Sequence, residues 1–181
     1  KSIQAVDGKI YALPSINACF HCMHNMRAWI NKTWLDELDL SYPNTTEEFE
    51  AVLEAFKDGD PNGNNKQDEI PMMGAQSGQE QIYPFLLNSF TYFKDDEYYF
   101  LNDDKKIEFV AGSEEVREGL KWIKSLIDQG LIDATSLTQT QEQLKQVGTD
   151  PNAVLLGVAP AFTWWGAFGQ DTETPDQRSR S

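Results

Sequence analysis

The chain has 181 residues, 40% of them hydrophobic and 12% aromatic, and its 15 Lys and Arg stand against 29 Asp and Glu for a formal net charge of -14. That is enough apolar material for a real core and excludes a disordered chain. The charge opposes any general affinity for nucleic acid or an anionic membrane, and no apolar run approaches the roughly 18 residues of a spanning helix. The chain opens on Lys1-Ser-Ile-Gln, so any targeting segment is expected to have been removed or to lie upstream.

Lys9-Ile-Tyr-Ala-Leu-Pro14 reads as a short strand after the Asp7-Gly8 turn, and Met26 to Asn31 as a second strand. Between them, Cys19-Phe-His-Cys-Met-His24 gathers both cysteines and both histidines of the chain. In an extended segment Cys19 and His21 face one side and Cys22 and His24 the other, and no second Cys/His cluster follows. Buried or cleft-lining thiols, a local disulfide and zinc are the readings, with geometry disfavouring zinc.

Asn31 to Leu38 predicts a short helix with Trp34, Leu35 and Leu38 on one face. Asn44 to Phe56 predicts a longer one: Thr45 and Glu48 form a capping box, and Phe49, Val52, Leu53 and Phe56 an apolar stripe. Gln79 to Phe90 suits another helix. Tyr98-Tyr-Phe-Leu101 and Lys106-Ile-Glu-Phe-Val110 read as a hairpin. Ser113 to Gln129 carries a stripe of Val116, Leu120, Ile123 and Ile127, with Gly130 as its C-terminal cap. Leu144 to Val147 closes a further short helix. The continuous apolar run Ala153 to Ala159 predicts a strand covered on both faces, leading to Phe162-Thr-Trp-Trp-Gly-Ala-Phe168. Gln170 to Ser181 is polar and patternless, the composition of a frayed tail. Helices and strands mix in an α/β manner.

The stretch from Asp58 to Pro71 spaces oxygen-bearing side chains as a cation loop does. Asp60, Asn62 and Asn64 hold first, third and fifth places, Lys66 offers its backbone carbonyl from the seventh, Asp68 fills the ninth and Glu69 follows. Calcium takes six to eight oxygens, and with Glu69 bidentate this set supplies about seven. Asn65 stands where an EF-hand has Gly, the closing Glu comes two places early and Pro71 forbids a leaving helix, so a structural calcium clip is expected in place of a sensor. The alternative is a soluble turn, for which Asp-Gly and Pro-Asn-Gly suffice.

Asp7 to Pro14, Trp29-Ile-Asn-Lys-Thr-Trp-Leu35, Pro43 to Phe49, Ala55 to Asn64, Asp68-Glu-Ile-Pro71, Gly119 to Lys124, Gly130-Leu-Ile-Asp133, and Leu155-Leu-Gly157 through Trp164-Trp165 together resemble extracellular solute-binding proteins (family 1 type) of carbohydrate ABC transporters. The oligosaccharide- and alginate-binding branch with a calcium loop is the most similar part of that family. The resemblance covers residues 5 to 168 and implies an α/β, periplasmic-binding-protein-like (type II) fold. Residues 1-28 would be a first-lobe remnant and hinge, 29-168 the second lobe with calcium loop 60-69, and 169-181 the tail.

It implies binding of an oligosaccharide in an interlobe cleft for import, and no catalysis. Delivery would be to ABC transporter permease subunits, outside the cell, on a cell-surface lipoprotein or in the periplasm. Membrane attachment would come only through a lipid anchor not present in this chain. Trp164 and Trp165 match the place where similar proteins stack aromatic rings on sugars, and His21 and His24 fall where the family's chain crosses the cleft. Gln76, Gln79 and Tyr83 are further ligand candidates. The alternatives are a calcium-stabilised interaction domain and a glycan hydrolase; the latter needs a carboxylate pair, and no catalytic motif supports it.

Overall fold

Capping, periodicity and turn chemistry set the elements in chain order. The computed structural model describes residues 4-12, 27-93, 98-102, 104-150 and 153-168. Strand β1 (Ala28–Ile30) is followed at once by helix α1 (Lys32–Glu37), whose N-cap is Asn31. Helix α2 (Thr46–Asp58) starts at Thr45, whose hydroxyl accepts from the Glu48 N–H at 3.2 Å. The reciprocal half of the expected box is displaced by one residue: the Glu48 carboxylate accepts from the Asn44 N–H, at 2.7 Å. Strand β2 (Ile70–Met72) follows the oxygen-rich loop, so a strand and not a second helix leaves it.

The helix expected over 79-90 is divided. A 3-10 turn (Gly78–Glu80) and helix α3 (Ile82–Leu87) are separated by extended Gln81. Pro84 explains the break, since in a continuous helix its ring would clash with the Glu80 carbonyl four residues back. Starting at Ile82 puts Pro84 in the first turn, where no N–H is needed, and frees the Glu80 carbonyl to accept from Ala75 N–H at 2.8 Å.

Strands β3 (Tyr99–Leu101) and β4 (Ile107–Phe109) form the expected antiparallel hairpin, with Tyr99 opposite Phe109. Helix α4 (Glu114–Asp128) is capped by Ser113 and ends before Gly130, at φ +69°. Its buried face is Val116, Gly119, Ile123 and Leu126, while Leu120 is exposed, a correction to the expected stripe. Gly119 takes the inner place because a Cβ there would stand 2.7 Å from Leu87 Cδ2 and 3.1 Å from Phe90 Cδ2. Helix α5 (Gln141–Gly148) carries a complete capping box from Thr140 and Gln143. Strand β5 (Leu156–Pro160) and the short helix α6 (Trp164–Ala167) complete the described chain.

The strand order is β1-β5-β2, with β1 antiparallel and β2 parallel to β5. All five β5 residues are buried, as the continuous apolar run requires. The main core packs Trp34, Leu53, Phe56, Leu86, Ile123 and Leu126 with Met72 and Val158 of the sheet; a second cluster joins Met73, Leu144, Leu156 and Ala167. The strand expected from Lys9 is not formed over the described residues 9-12: a turn closes there, with Ala5 N–H donating to the Lys9 carbonyl at 2.9 Å and Gly8 at φ +77°. His21, His24, Cys19, Cys22 and the tail 170-181 lie outside the described residues. Among the described residues no helix is long and apolar enough to cross a membrane.

Candidate functional site

Two regions gather polar chemistry at opposite ends of β5. The first is the loop between α2 and β2. Asp60 and Asn65 adopt positive φ, +48° and +60°, which Asp and Asn tolerate better than most residues. That backbone curls the chain around the Asp60 carboxylate: Oδ1 accepts from Asn64 N–H at 3.1 Å and Oδ2 from Asn65 N–H at 3.0 Å. Asn62 and Asn64 turn their amide groups toward Asp68, with Nδ2 to Oδ1 distances of 3.2 and 3.0 Å, and Asn62 also donates to the Val154 carbonyl at 3.3 Å. These contacts, the Asn64 amide first, hold the Asp68 carboxyl below its ordinary value.

Glu69 is the unbalanced member. Both carboxylate oxygens are buried without a hydrogen-bond partner. Burial pushes the carboxyl above its ordinary value, and the like charges of Asp60 and Asp68 add to the shift. An orphaned carboxylate beside two others suits a hard cation, and the oxygen donors are those calcium takes. Among the described residues, no group of three His, Cys, Asp or Glu forms a metal cluster. A calcium fit would therefore rest on a mixed set in which the Asn62 and Asn64 amide oxygens and the Lys66 carbonyl complete the shell, which requires both amides to turn, since their nitrogens face Asp68.

The second region lies past the other end of β5. Trp164 is half-buried and Trp165 is 47% exposed, their rings meeting edge to face with centroids 5.9 Å apart. The base beneath them is firm: Ala167 is fully buried, Trp29 Nε1–H donates to the Ala161 carbonyl at 3.1 Å, and the Arg27 guanidinium lies 5.6 Å from the Phe162 ring centre. Beside α6, which it meets through Glu80, stands the segment 74-81, anchored by Ser136 and Gln139 of the same chain. Gly74 N–H donates to Ser136 Oγ at 3.0 Å, and Gln76 N–H to the Gln139 carbonyl at 2.9 Å.

This segment carries Gln76, exposed, and Gln79, half-buried, and it meets α6 through Glu80 at Gly166. Tyr83 lies further along, half-buried on α3 and packed against the main core. Sequence reasoning missed Glu80. Only 9% exposed, it accepts from Gln141 Nε2 at 2.6 Å, and its Oε1 lies 3.0 Å from where a Cβ on Gly166 would stand. Burial raises its carboxyl above the ordinary value. The one signal, an acid between two glutamines in a Gly-started turn, does not specify burial.

No protein-family model matches the chain. Over 166 residues, 88% of its length, the chain is 40% identical to the fructooligosaccharide ABC transporter substrate-binding protein FusA of Streptococcus pneumoniae serotype 4, covering 30% of that protein. The solved structure of S. pneumoniae FusA in complex with kestose matches at a TM-score of 0.75 with 34% identity, over 92% of this chain and 34% of that one. An EF-hand mutant of FusA in complex with fructo-nystose matches at a TM-score of 0.75 with 32% identity, over the same shares. The chain spans less than a third of the length of the curated relatives it matches.

Proposed function

The chain belongs to the extracellular solute-binding proteins of ABC transporters, with the type II α/β fold of that family, and on that premise we propose that it forms one wall of an oligosaccharide cleft and carries a structural calcium site. The observation that carries the sugar reading is Trp165, a large ring left half exposed on a buried base at the end of the central strand. An aromatic face covers the C–H face of a sugar ring, while neutral amides such as Gln76 and Gln79 meet its hydroxyls. FusA is named for fructooligosaccharides, which makes them the first sugars to test.

In this reading residues 1-28 belong to a first lobe and hinge, 29-168 form the second lobe, and closure of both walls holds the sugar until permease subunits receive it outside the cell. The protein binds and releases; it does no covalent chemistry. Calorimetry of the full-length protein with kestose and longer fructo-oligosaccharides tests the reading. Trp165→Ala is expected to weaken binding by about tenfold, and unchanged affinity would remove Trp165 from the site.

The calcium reading rests on Glu69, whose two unpartnered oxygens stand beside Asp60 and Asp68. Asp60, Asn62, Asn64, Lys66, Asp68 and Glu69 would hold the ion, which when bound would offset most of the charge of the three carboxylates and fix the loop. A melting temperature that responds neither to EDTA nor to added calcium refutes it.

A further inference from the structure

We propose that Glu80, held by Gln141, is a positioning residue for the sugar site: the pair seats helix α6 and thereby sets where the Trp165 ring stands. The inference rests on the cleft reading above. Helix α6 does not fix its own place, because it has four residues and Thr163 at its start makes no side-chain cap bond. A single turn of helix gains too little from its own hydrogen bonds to persist alone, so what it packs against decides its position.

Three surfaces meet this turn. A Cβ on Gly148, the last residue of α5, would overlap the Ala167 carbonyl oxygen, so backbone meets backbone there. A Cβ on Gly166 would stand 3.4 Å from Ala161 Cβ and 3.0 Å from Glu80 Oε1. The first two surfaces are uncharged; the third is a carboxyl group only 9% exposed. Gly166 follows Trp165 directly, so a shift of α6 against Glu80 carries the ring with it.

Close approach is built into the pair on its other side as well. A Cβ on Gly78, at φ +80°, would overlap Gln141 Nε2 and stand 2.8 Å from Glu80 Oε2. Gly78 could not carry a side chain without displacing the pair, and Gly166 only by pressing on the carboxyl. Gln141 Nε2 donates to Glu80 Oε2 at 2.6 Å and to the Ser77 carbonyl at 3.3 Å, tying α5 to the turn on both sides of Gly78. The Glu80 backbone is fixed separately, its carbonyl accepting from Ala75 N–H at 2.8 Å. A buried carboxyl carries a desolvation cost that an apolar residue in the same space would avoid. What the acid adds is direction: its bond to Gln141 holds Oε1 against Gly166, where an apolar side chain would be free to settle elsewhere.

The test uses the full-length protein labelled with 5-fluorotryptophan, the Trp165 resonance being assigned with Trp165→Phe. Fluorine spectra without sugar and calorimetry with kestose are recorded for wild type, Glu80→Ala, Glu80→Gln and Gln141→Leu, with urea unfolding in parallel. Glu80→Ala and Gln141→Leu are each expected to displace the Trp165 resonance and to weaken kestose by about three- to tenfold, the worth of one hydrogen bond. Glu80→Gln, which still accepts from Gln141, is expected to recover most of both losses. Gln141 is itself exposed, so Gln141→Leu carries the test if Glu80→Ala does not fold. A Trp165 resonance unmoved in the folded variants overturns the inference whatever the stability or affinity, and so does a loss in Glu80→Gln as large as in Glu80→Ala. A displaced resonance in a protein whose wild type binds no sugar upholds the positioning of Trp165 and removes the cleft reading alone.

Discussion

Gly157→Ala adds a single methyl group at the most crowded point of the central strand. A Cβ there would stand 2.5 Å from Phe56 Cδ2, 2.7 Å from the Pro71 carbonyl oxygen and 3.0 Å from Trp34 Cζ3. Carbon atoms pack comfortably at roughly 3.5-4.0 Å, so three neighbours must yield at once. Phe56 is fully buried and Trp34 is 1% exposed, their rings locked edge to face at 5.2 Å, which leaves neither room to swing away. The Pro71 oxygen belongs to β2, and displacing it opens the pairing of Ile70 with Leu156 and Met72 with Val158. Overpacking of this kind costs about 1-3 kcal/mol, and immobile neighbours put it at the upper end. The lower entropy of an unfolded chain with Ala in place of Gly returns about 0.4-1 kcal/mol. The expected loss is about 2-3 kcal/mol, read in urea as a lower midpoint with an unchanged slope, or as a fall in Tm of roughly 5-10 °C. A loss below about 0.5 kcal/mol at unchanged slope would refute the packing argument.

Three other substitutions probe the loop, the buried acid and a cap. Calcium at a hundred times its Kd is expected to stabilise the wild type by about 2.7 kcal/mol, and Glu69→Gln to abolish most of that gain while being no less stable than wild type in EDTA, since it removes a buried unpartnered charge. An equal calcium response in the variant would exclude Glu69 as a ligand. Because the folded protein keeps the Glu80 proton above the ordinary value of 4.5, stability from this group is complete below that pH and is lost as pH rises through the folded-state value. Glu80→Gln, which can still accept from Gln141, is therefore expected to flatten the decline in Tm from pH 4 to 7; a steeper decline would show that burial is not what sets this carboxyl. Thr45→Ala removes the N-cap of α2 and is expected to cost about 1 kcal/mol in urea unfolding, whereas no loss would mean that Glu48 bonded to Asn44 secures the helix start alone.

Elements whose causes are local were readable from the chain. Thr45 before an apolar stripe marked α2, Ser113 and Gly130 bracketed α4, and the unbroken run through Val158 marked the covered strand. Elements defined by distant partners were not. Strand β2 is three residues with Pro71 at its centre, too short to show a period of two, and it exists because Leu156 and Val158 lie beside it. Glu80 is buried by Gln141, 61 residues away, which no spacing rule reports. The loop falls between these cases. Its oxygen spacing is local and legible, but the burial of Glu69 and the tie from Asn62 to Val154 depend on the folded sheet.

That tie bounds what calcium, if held by the loop as proposed, could do for a sugar at Trp165. Asn62 bonds the Val154 carbonyl, Ile70 N–H donates to Leu155 at 2.7 Å, and Asn31 N–H donates to Gly157 at 2.7 Å, so the loop and its flanks grip the entering end of β5. Trp164 and Trp165 follow its leaving end. Five strand residues at about 3.3 Å each lie between, so an ion bound in the loop and a sugar held at Trp165 would not touch. Coupling must pass through the register of β5, and that register is held independently by three pairs to β1 and two to β2. Removing calcium should therefore lower stability far more than sugar affinity.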